Sequence, residues 1–224
     1  VSIYTGADVS EPMGITTGPD GALWFTNLGN DSIGRITTAG ALTEYTGTGI
    51  DAPENITTGP DGALWFTNFG NDSIGRITTD GVVTNYTSSG IDDPYGITAG
   101  PDGALWFTNF ANRATGSIGQ ITTAGAVSVY TGSRIKHPWS ITAGPDGALW
   151  FANYGNNSIG RITTAGVISH FTGTGVSAPT GITNGPDDAL WFTNYGNYSI
   201  GRITAVPVMS VSPTSGPDTL EGVG

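Results

Sequence analysis

The feature that most constrains this chain is the tripeptide Leu-Trp-Phe, which returns at Trp24, Trp65, Trp106, Trp150 and Trp191 with spacings of 41, 41, 44 and 41 residues. Each copy sits in a longer unit that reads approximately G-I-T-x-G-P-D-G-A-L-W-F-T-N-x-G-N-D-S-I-G-R-I-T-T-x-G-x-x-x-x-Y-T-G. The one longer interval comes from three extra residues within Ala111–Gly116. A fixed period of this length marks an array of one supersecondary unit, which buries its apolar faces only by stacking on its neighbours.

Turn residues divide the unit into four strands. In the first copy strand A is Gly14–Thr17, and Gly18-Pro19-Asp20-Gly21 reverses it. Strand B is Ala22–Asn27, a Gly-Asn-Asp-Ser turn leads to strand C at Ile33–Thr38, and Ala39-Gly40 turns into strand D at Ala41–Thr46. Side chains alternate along a strand, so Ala-Leu-Trp-Phe makes strand B apolar on both faces. Such a strand needs cover on both sides, which radially packed sheets supply. The repeated tryptophans are therefore read as inter-blade core. The predicted fold is an all-β, five-bladed propeller of four-stranded antiparallel blades over residues 1–204. Val1–Gly6 reads like a strand D, and the unit at Gly181–Thr204 has no D of its own. The N-terminal strand is thus expected to close the last blade and leave a monomer without free edges, with the tail as the competing candidate for that edge. Residues 205–224 are read as a tail or linker.

Composition narrows the function. The formal net charge is −11, with only seven Lys and Arg, so the clustered cations of a phosphate-binding surface are missing and nucleic acid is excluded as a partner. No apolar run is long enough for a membrane-spanning helix. The chain contains no cysteine, which excludes disulfides and thiolate metal sites.

The units G-I-T-x-G-P-D-G-A-L-W-F-T-N and N-x-I-G-R-I-T resemble the repeats of the virginiamycin B lyase (streptogramin lyase) family over nearly all of residues 1–204. The resemblance implies a propeller, typically of seven blades in that family. It also implies opening of a cyclic depsipeptide by elimination with a His base and Mg²⁺. The family's His follows the Pro that opens strand A. The matching positions here are Met13, Glu54, Tyr95, Trp139 and Thr180. The family's Glu ends strand B, where this chain has Asn27, Asn68, Asn109, Asn153 and Asn194. The resemblance carries the fold, but not the catalytic pair. Of the two histidines, His170 falls in an outer strand D, and His137 precedes Pro138, one place before the family's position. In the tail, Val208–Gly216 resembles the opening of an IPT/TIG immunoglobulin-like domain, which implies an extracellular or cell-surface bacterial setting.

Other repeated polar residues have structural readings. Asp20, Asp61, Asp102, Asp146 and Asp187 each follow Pro in the A–B turn, where a carboxylate bonds its own turn backbone. One carboxylate per turn is too few for calcium. Arg35, Arg76, Arg161 and Arg202, with Gln120 in the third copy, are read as partners of neighbouring turns. The informative signal is variation inside constancy: Met13, Glu54, Tyr95, Trp139 and Thr180 differ while their surroundings do not. In a propeller the D–A and B–C loops share one face, so these positions and the five Asn residues are expected around the channel mouth as a polar and aromatic pocket. The expected function is a non-catalytic binding or scaffold module for a glycan, a peptide or a small molecule, with no catalytic residue, metal or cofactor. The alternatives are a divergent Mg²⁺-dependent lyase using His137 or Glu54, and a ligand-free structural array.

Overall fold

The computed structural model describes residues 1–111 and 115–204, and the tail beyond Thr204 lies outside it. The described chain holds five antiparallel sheets. The first comprises β1 (Pro12–Thr17), β2 (Leu23–Asn27), β3 (Ser32–Ile36) and β4 (Leu42–Thr46). The second comprises β5 (Pro53–Thr58), β6 (Leu64–Asn68), β7 (Ser73–Ile77) and β8 (Val83–Thr87). The third comprises β9 (Pro94–Ala99), β10 (Leu105–Asn109), β11 (Ser117–Ile121) and β12 (Val127–Tyr130). The fourth comprises β13 (Pro138–Ala143), β14 (Leu149–Asn153), β15 (Ser158–Ile162) and β16 (Ile168–Phe171). The fifth has three strands among the described residues, β17 (Pro179–Asn184), β18 (Ala189–Asn194) and β19 (Ser199–Thr204). Strands follow one another in sheet order, as a meander of tight turns requires.

Each sheet packs on the next through its second strand. Trp24 and Ile33 of the first sheet bury against Ile56, Leu64, Phe66 and Ile77 of the second, and the pattern repeats down the array. Phe66, Phe107 and Phe151 lie over Gly75, Gly119 and Gly160 of the adjacent strand, where a Cβ would collide with the ring. Each Trp is fixed by two further contacts. Its Nε1 donates to the turn Asp, as from Trp24 to Asp20 Oδ1 at 3.0 Å. In the first four sheets its ring also stacks on the strand-D aromatic, as Trp24 on Tyr45 at 5.2 Å and Trp150 on Phe171 at 5.1 Å. Arg35, Arg76, Arg161 and Arg202 pair with the same Asp residues at 2.6–2.7 Å. Gln120 keeps that bond without the charge, donating to Asp102 at 2.7 Å. These are the roles read from the sequence for the repeated Trp, Asp and Arg.

The expected closure of the last sheet by Val1–Gly6 is not observed, and this corrects the reading above. Those residues form no strand and pair with nothing on β19. Tyr4 instead lies at Gly40, as Tyr45 lies at Gly81, Tyr86 at Gly125 and Tyr130 at Gly166. A strand-D aromatic packs into the C–D turn of the following sheet, so this segment belongs beside the first sheet. The two ends of the array also lack the cover that the inner sheets give one another. Trp191 is 37% exposed, whereas the other four repeated tryptophans are at most 1% exposed. Ile15 is 63% and Ile200 66% exposed, although Ile56 and Ile159, their counterparts one sheet inward, are 3% and 0%. The described sheets therefore form an open arc.

Candidate functional site

The strand-opening positions sit at a bulge. In every sheet strand A pairs with strand B at its Pro, as Pro53 with Asn68, and again three residues on, as Ile56 with Phe66. Two residues of strand A thus face one of strand B, which leaves the residue after Pro free of the ladder. The backbone there is fixed from both sides. Thr67 Oγ1 accepts from Asn55 N at 3.1 Å and donates to Tyr95 O at 2.8 Å in the next sheet. Thr26 reaches Glu54 O and Thr108 reaches Trp139 O in the same way, at 2.9 and 2.7 Å. In the fourth sheet Ala152 replaces that Thr, and Ser140 Oγ supplies the bond to Thr180 O. Side-chain identity can vary here because the carbonyl, not the side chain, joins the sheets.

Three of the five variable residues come together. Tyr95 and Trp139 meet edge to face, with ring centroids 4.8 Å apart and planes at 62°. Phe110 packs on Trp139 at 5.5 Å and 84°, and on Tyr95 at 6.4 Å. Phe69, Tyr95, Phe110 and Trp139 line a small cavity of about 140 Å³. Tyr154 adds a ring against Trp139 at 5.5 Å. Glu54, from the adjoining sheet, is half-buried and close enough for its charge to act on Tyr95. Burial pushes the Glu54 carboxyl above its ordinary value. Burial, and then the Glu54 charge, raise the Tyr95 phenol. Met13 and Thr180 sit at the two ends of the arc: Met13 is exposed beside the uncovered face of the first sheet, and Thr180 contacts Thr193. Neither reaches the aromatic cluster among the described contacts.

The five strand-B asparagines are not a ligand-facing ring, which corrects that expectation. Asn27, Asn68, Asn109, Asn153 and Asn194 are all buried, at most 4% exposed. Each amide is already engaged. Asn68 Nδ2 donates to Gly49 O at 2.8 Å and Ser73 Oγ at 3.0 Å, while its Oδ1 accepts from Asp51 N at 3.1 Å. The other four repeat this set, tying the D–A loop to the start of strand C. A buried amide must be satisfied, and here the satisfaction comes from the protein's own loops.

The rings at Phe69, Phe110 and Tyr154 were not singled out in the sequence. Their signal was present: the residue after each strand-B Asn reads Leu28, Phe69, Phe110, Tyr154 and Tyr195. His137 borders the cluster, with its ring on Phe110 at 5.1 Å and Nδ1 3.2 Å from Phe110 O. Its backbone has φ 45°, a conformation shared by Glu11, Ala52, Asp93 and Ala178 at the same place in the repeat, so it reflects the loop and not a special role. In the three adjoining loops a B–C turn side chain holds this residue, as Asp31 accepts from Ala52 N. At His137 the backbone carbonyl of Thr115 does so instead. Asp72, Asp92 and Asp93 form a group of three carboxylates at the edge of this face. Asp72 accepts from Asp93 N at 2.7 Å, the repeat's ordinary loop bond, which accounts for their proximity.

Comparison with known proteins gives a consistent picture. The family model described as the virginiamycin B lyase family matches residues 3–214. The chain is 39% identical to a catalytically inactive His-to-Ala variant of Staphylococcus aureus virginiamycin B lyase crystallised with quinupristin. That match has a TM-score of 0.83 and covers 90% of this chain and 69% of the other. A streptogramin B lyase structure is 41% identical, with a TM-score of 0.79, over 89% of this chain and 67% of that one. The chain thus spans about two thirds of the length of these lyases. Structures of a nidogen/laminin complex and of a putative gluconolactonase, 18% and 16% identical with TM-scores of 0.73 and 0.67, share the fold alone. No curated protein sequence matches the chain.

Proposed function

Because this chain belongs to the virginiamycin B lyase family, we propose that it holds a ligand at the aromatic mouth of its propeller and does not itself carry out the family's elimination. The observation that carries this reading is the convergence of Tyr95, Phe110 and Trp139 around a small cavity, with the charge of Glu54 acting on Tyr95. Apolar walls with one or two polar groups are the usual make-up of a ligand pocket. The relative crystallised with quinupristin supports a peptide-like ligand over a glycan. So does the engagement of the buried amides, which leaves few polar groups to grip sugar hydroxyls.

Elimination requires a base poised to take a carbon-bound proton. None of the five positions that match the family's His holds one, and none of the five that match its Glu holds a carboxylate. The residues at the mouth do not fit Mg²⁺ either. The cavity lining is four aromatic side chains, and Glu54 nearby is one carboxylate, whereas Mg²⁺ requires an octahedral set of oxygens. The identity to known lyases favours one competing reading, with His137 as a displaced base.

Calorimetric titration of a streptogramin B depsipeptide into the chain tests the proposal. Saturable binding that Trp139→Ala weakens at least about tenfold is expected, the scale of a lost aromatic anchor. Equal binding by wild type and variant contradicts it. Ring-opened product that Mg²⁺ promotes and His137→Ala abolishes supports the lyase reading instead.

A further inference from the structure

The chemistry of the mouth is more specific than an apolar pocket. Its walls are four aromatic side chains, and two of the ring pairs meet at steep angles, Tyr95 to Trp139 at 62° and Phe110 to Trp139 at 84°. Rings arranged this way present both faces and edges to one small volume, about 140 Å³. An aromatic face carries partial negative charge and attracts a cation whose hydration is weak.

Glu54 supplies the second observation. It is half-buried, and among the described residues its carboxylate forms no hydrogen bond and no ion pair, its only bond being through the backbone carbonyl to Thr26. The repeated arginines do not serve it. Each is committed to the Asp of its own A–B turn, at the opposite end of the strands from the mouth. Lys136 precedes His137 in the neighbouring loop, and it too makes no ion pair with Glu54. A carboxylate partly removed from water without a partner is costly, and a bound cation relieves that cost. The net charge of −11 also draws cations toward the surface. An anionic ligand group would meet Glu54 as a like charge. A neutral polar group would find few partners among the rings.

We infer that the mouth binds an organic cation, an alkylated ammonium group caged by Phe69, Tyr95, Phe110 and Trp139 with Glu54 as its counter-ion. This rests on the binding reading above and names the part of the ligand that enters the cage. The cage uses three consecutive sheets: Glu54 and Phe69 come from the second, Tyr95 and Phe110 from the third, and Trp139 from the fourth. It is therefore not a property of one repeat, and the other sheets do not reproduce it. The equivalents of Tyr95 and Trp139 are Met13 and Thr180 at the arc's ends.

The test compares choline with 3,3-dimethylbutan-1-ol, its uncharged isostere, by calorimetry on the whole chain. Choline is expected to bind, and the isostere to bind about tenfold more weakly, the scale of a cation–π set with a counter-charge. Glu54→Gln, which keeps the side chain's shape, is expected to weaken choline severalfold and leave the isostere unchanged. Trp139→Phe retains a ring and is expected to keep most of the choline affinity, whereas Trp139→Ala loses it. Thermal unfolding of each variant establishes that it is folded. Equal affinity for choline and the isostere, no choline binding, or an unchanged Glu54→Gln overturns the cation assignment. If depsipeptide binding still depends on Trp139, the binding role stands and only the cation is wrong. If choline binds as expected and the depsipeptide does not, the cage stands and the peptide-like ligand is wrong.

Discussion

Trp106 and Trp191 occupy the same place in the repeat and differ only in what lies beyond them. Trp106 is sealed between the third and fourth sheets, and its ring stacks on Tyr130 at 5.3 Å. Trp191 has no following sheet among the described residues and is 37% exposed. Trp106→Ala is expected to cost about 3–5 kcal/mol in urea unfolding, the range for emptying a large aromatic site, and Trp191→Ala less than half of that. Equal losses would mean that the outer face of the last sheet is covered in solution. The turn aspartates supply a pH test. Asp187 is held down to about 2 by hydrogen bonds from Trp191 and Arg202. For Asp61 and Asp146 burial acts upward, but the bonds from Trp and Arg outweigh it and the net shift is down. A carboxyl whose folded pKa lies below its unfolded value stabilises the fold above the unfolded value, near 3.9. That contribution is lost as pH falls from there through the folded pKa. Carboxyl NMR should place the Asp187 midpoint near 2 and show it rising in Arg202→Gln; an ordinary midpoint in the wild type contradicts the bond set. The roles of Trp, Asp and Arg were legible because each recurs with its turn. The strand-B Asn was misread because its partners, loop carbonyls and a Ser hydroxyl, leave no trace in the pattern.

At the scale of the element, strand A carries the candidate site and the strand-C glycine makes room for the strand-B Phe of its own sheet. The bulge after each Pro frees one residue per sheet from the ladder, while a Thr hydroxyl or its Ser substitute fixes the carbonyl. This explains how Met13, Glu54, Tyr95, Trp139 and Thr180 differ within a nearly constant frame, the signal from which the candidate site was read. The second half of the cage, Phe69 and Phe110, was less legible because an aromatic residue after a strand looks like ordinary core. Only the register brings it beside the bulge. Gly119 lies directly under the Phe107 ring. Gly119→Ala is expected to destabilise by about 1–3 kcal/mol through overpacking, measured by thermal unfolding; a neutral result would mean the ring has room to move. Gln120→Arg restores the ion pair of the other sheets to Asp102. It is expected to change stability by less than about 1 kcal/mol, because such exposed pairs contribute little.

At the scale of the whole molecule the sheet count and order were legible, and the closure was not. Any array of identical units that starts within one strand shows complementary ends, so Val1–Gly6 matched the missing strand D of the last sheet. Whether the ends meet depends on the angle between neighbouring sheets, which is set by side-chain packing and has no period in the sequence. The observed arc matches the lyases over 90% of its own length at a TM-score of 0.83, so it carries their curvature across about two thirds of their length. That curvature brings the openings of the second, third and fourth sheets together and makes the mouth a product of three sheets. The central claim is that this mouth binds without turnover. The most direct measurement is mass spectrometry of a streptogramin B depsipeptide after equilibrium dialysis against the chain, with and without Mg²⁺. The account predicts ligand retained by the wild type, lost with Trp139→Ala, and recovered intact in both conditions. Ring-opened depsipeptide produced by the wild type, or retention that does not depend on Trp139, would contradict it.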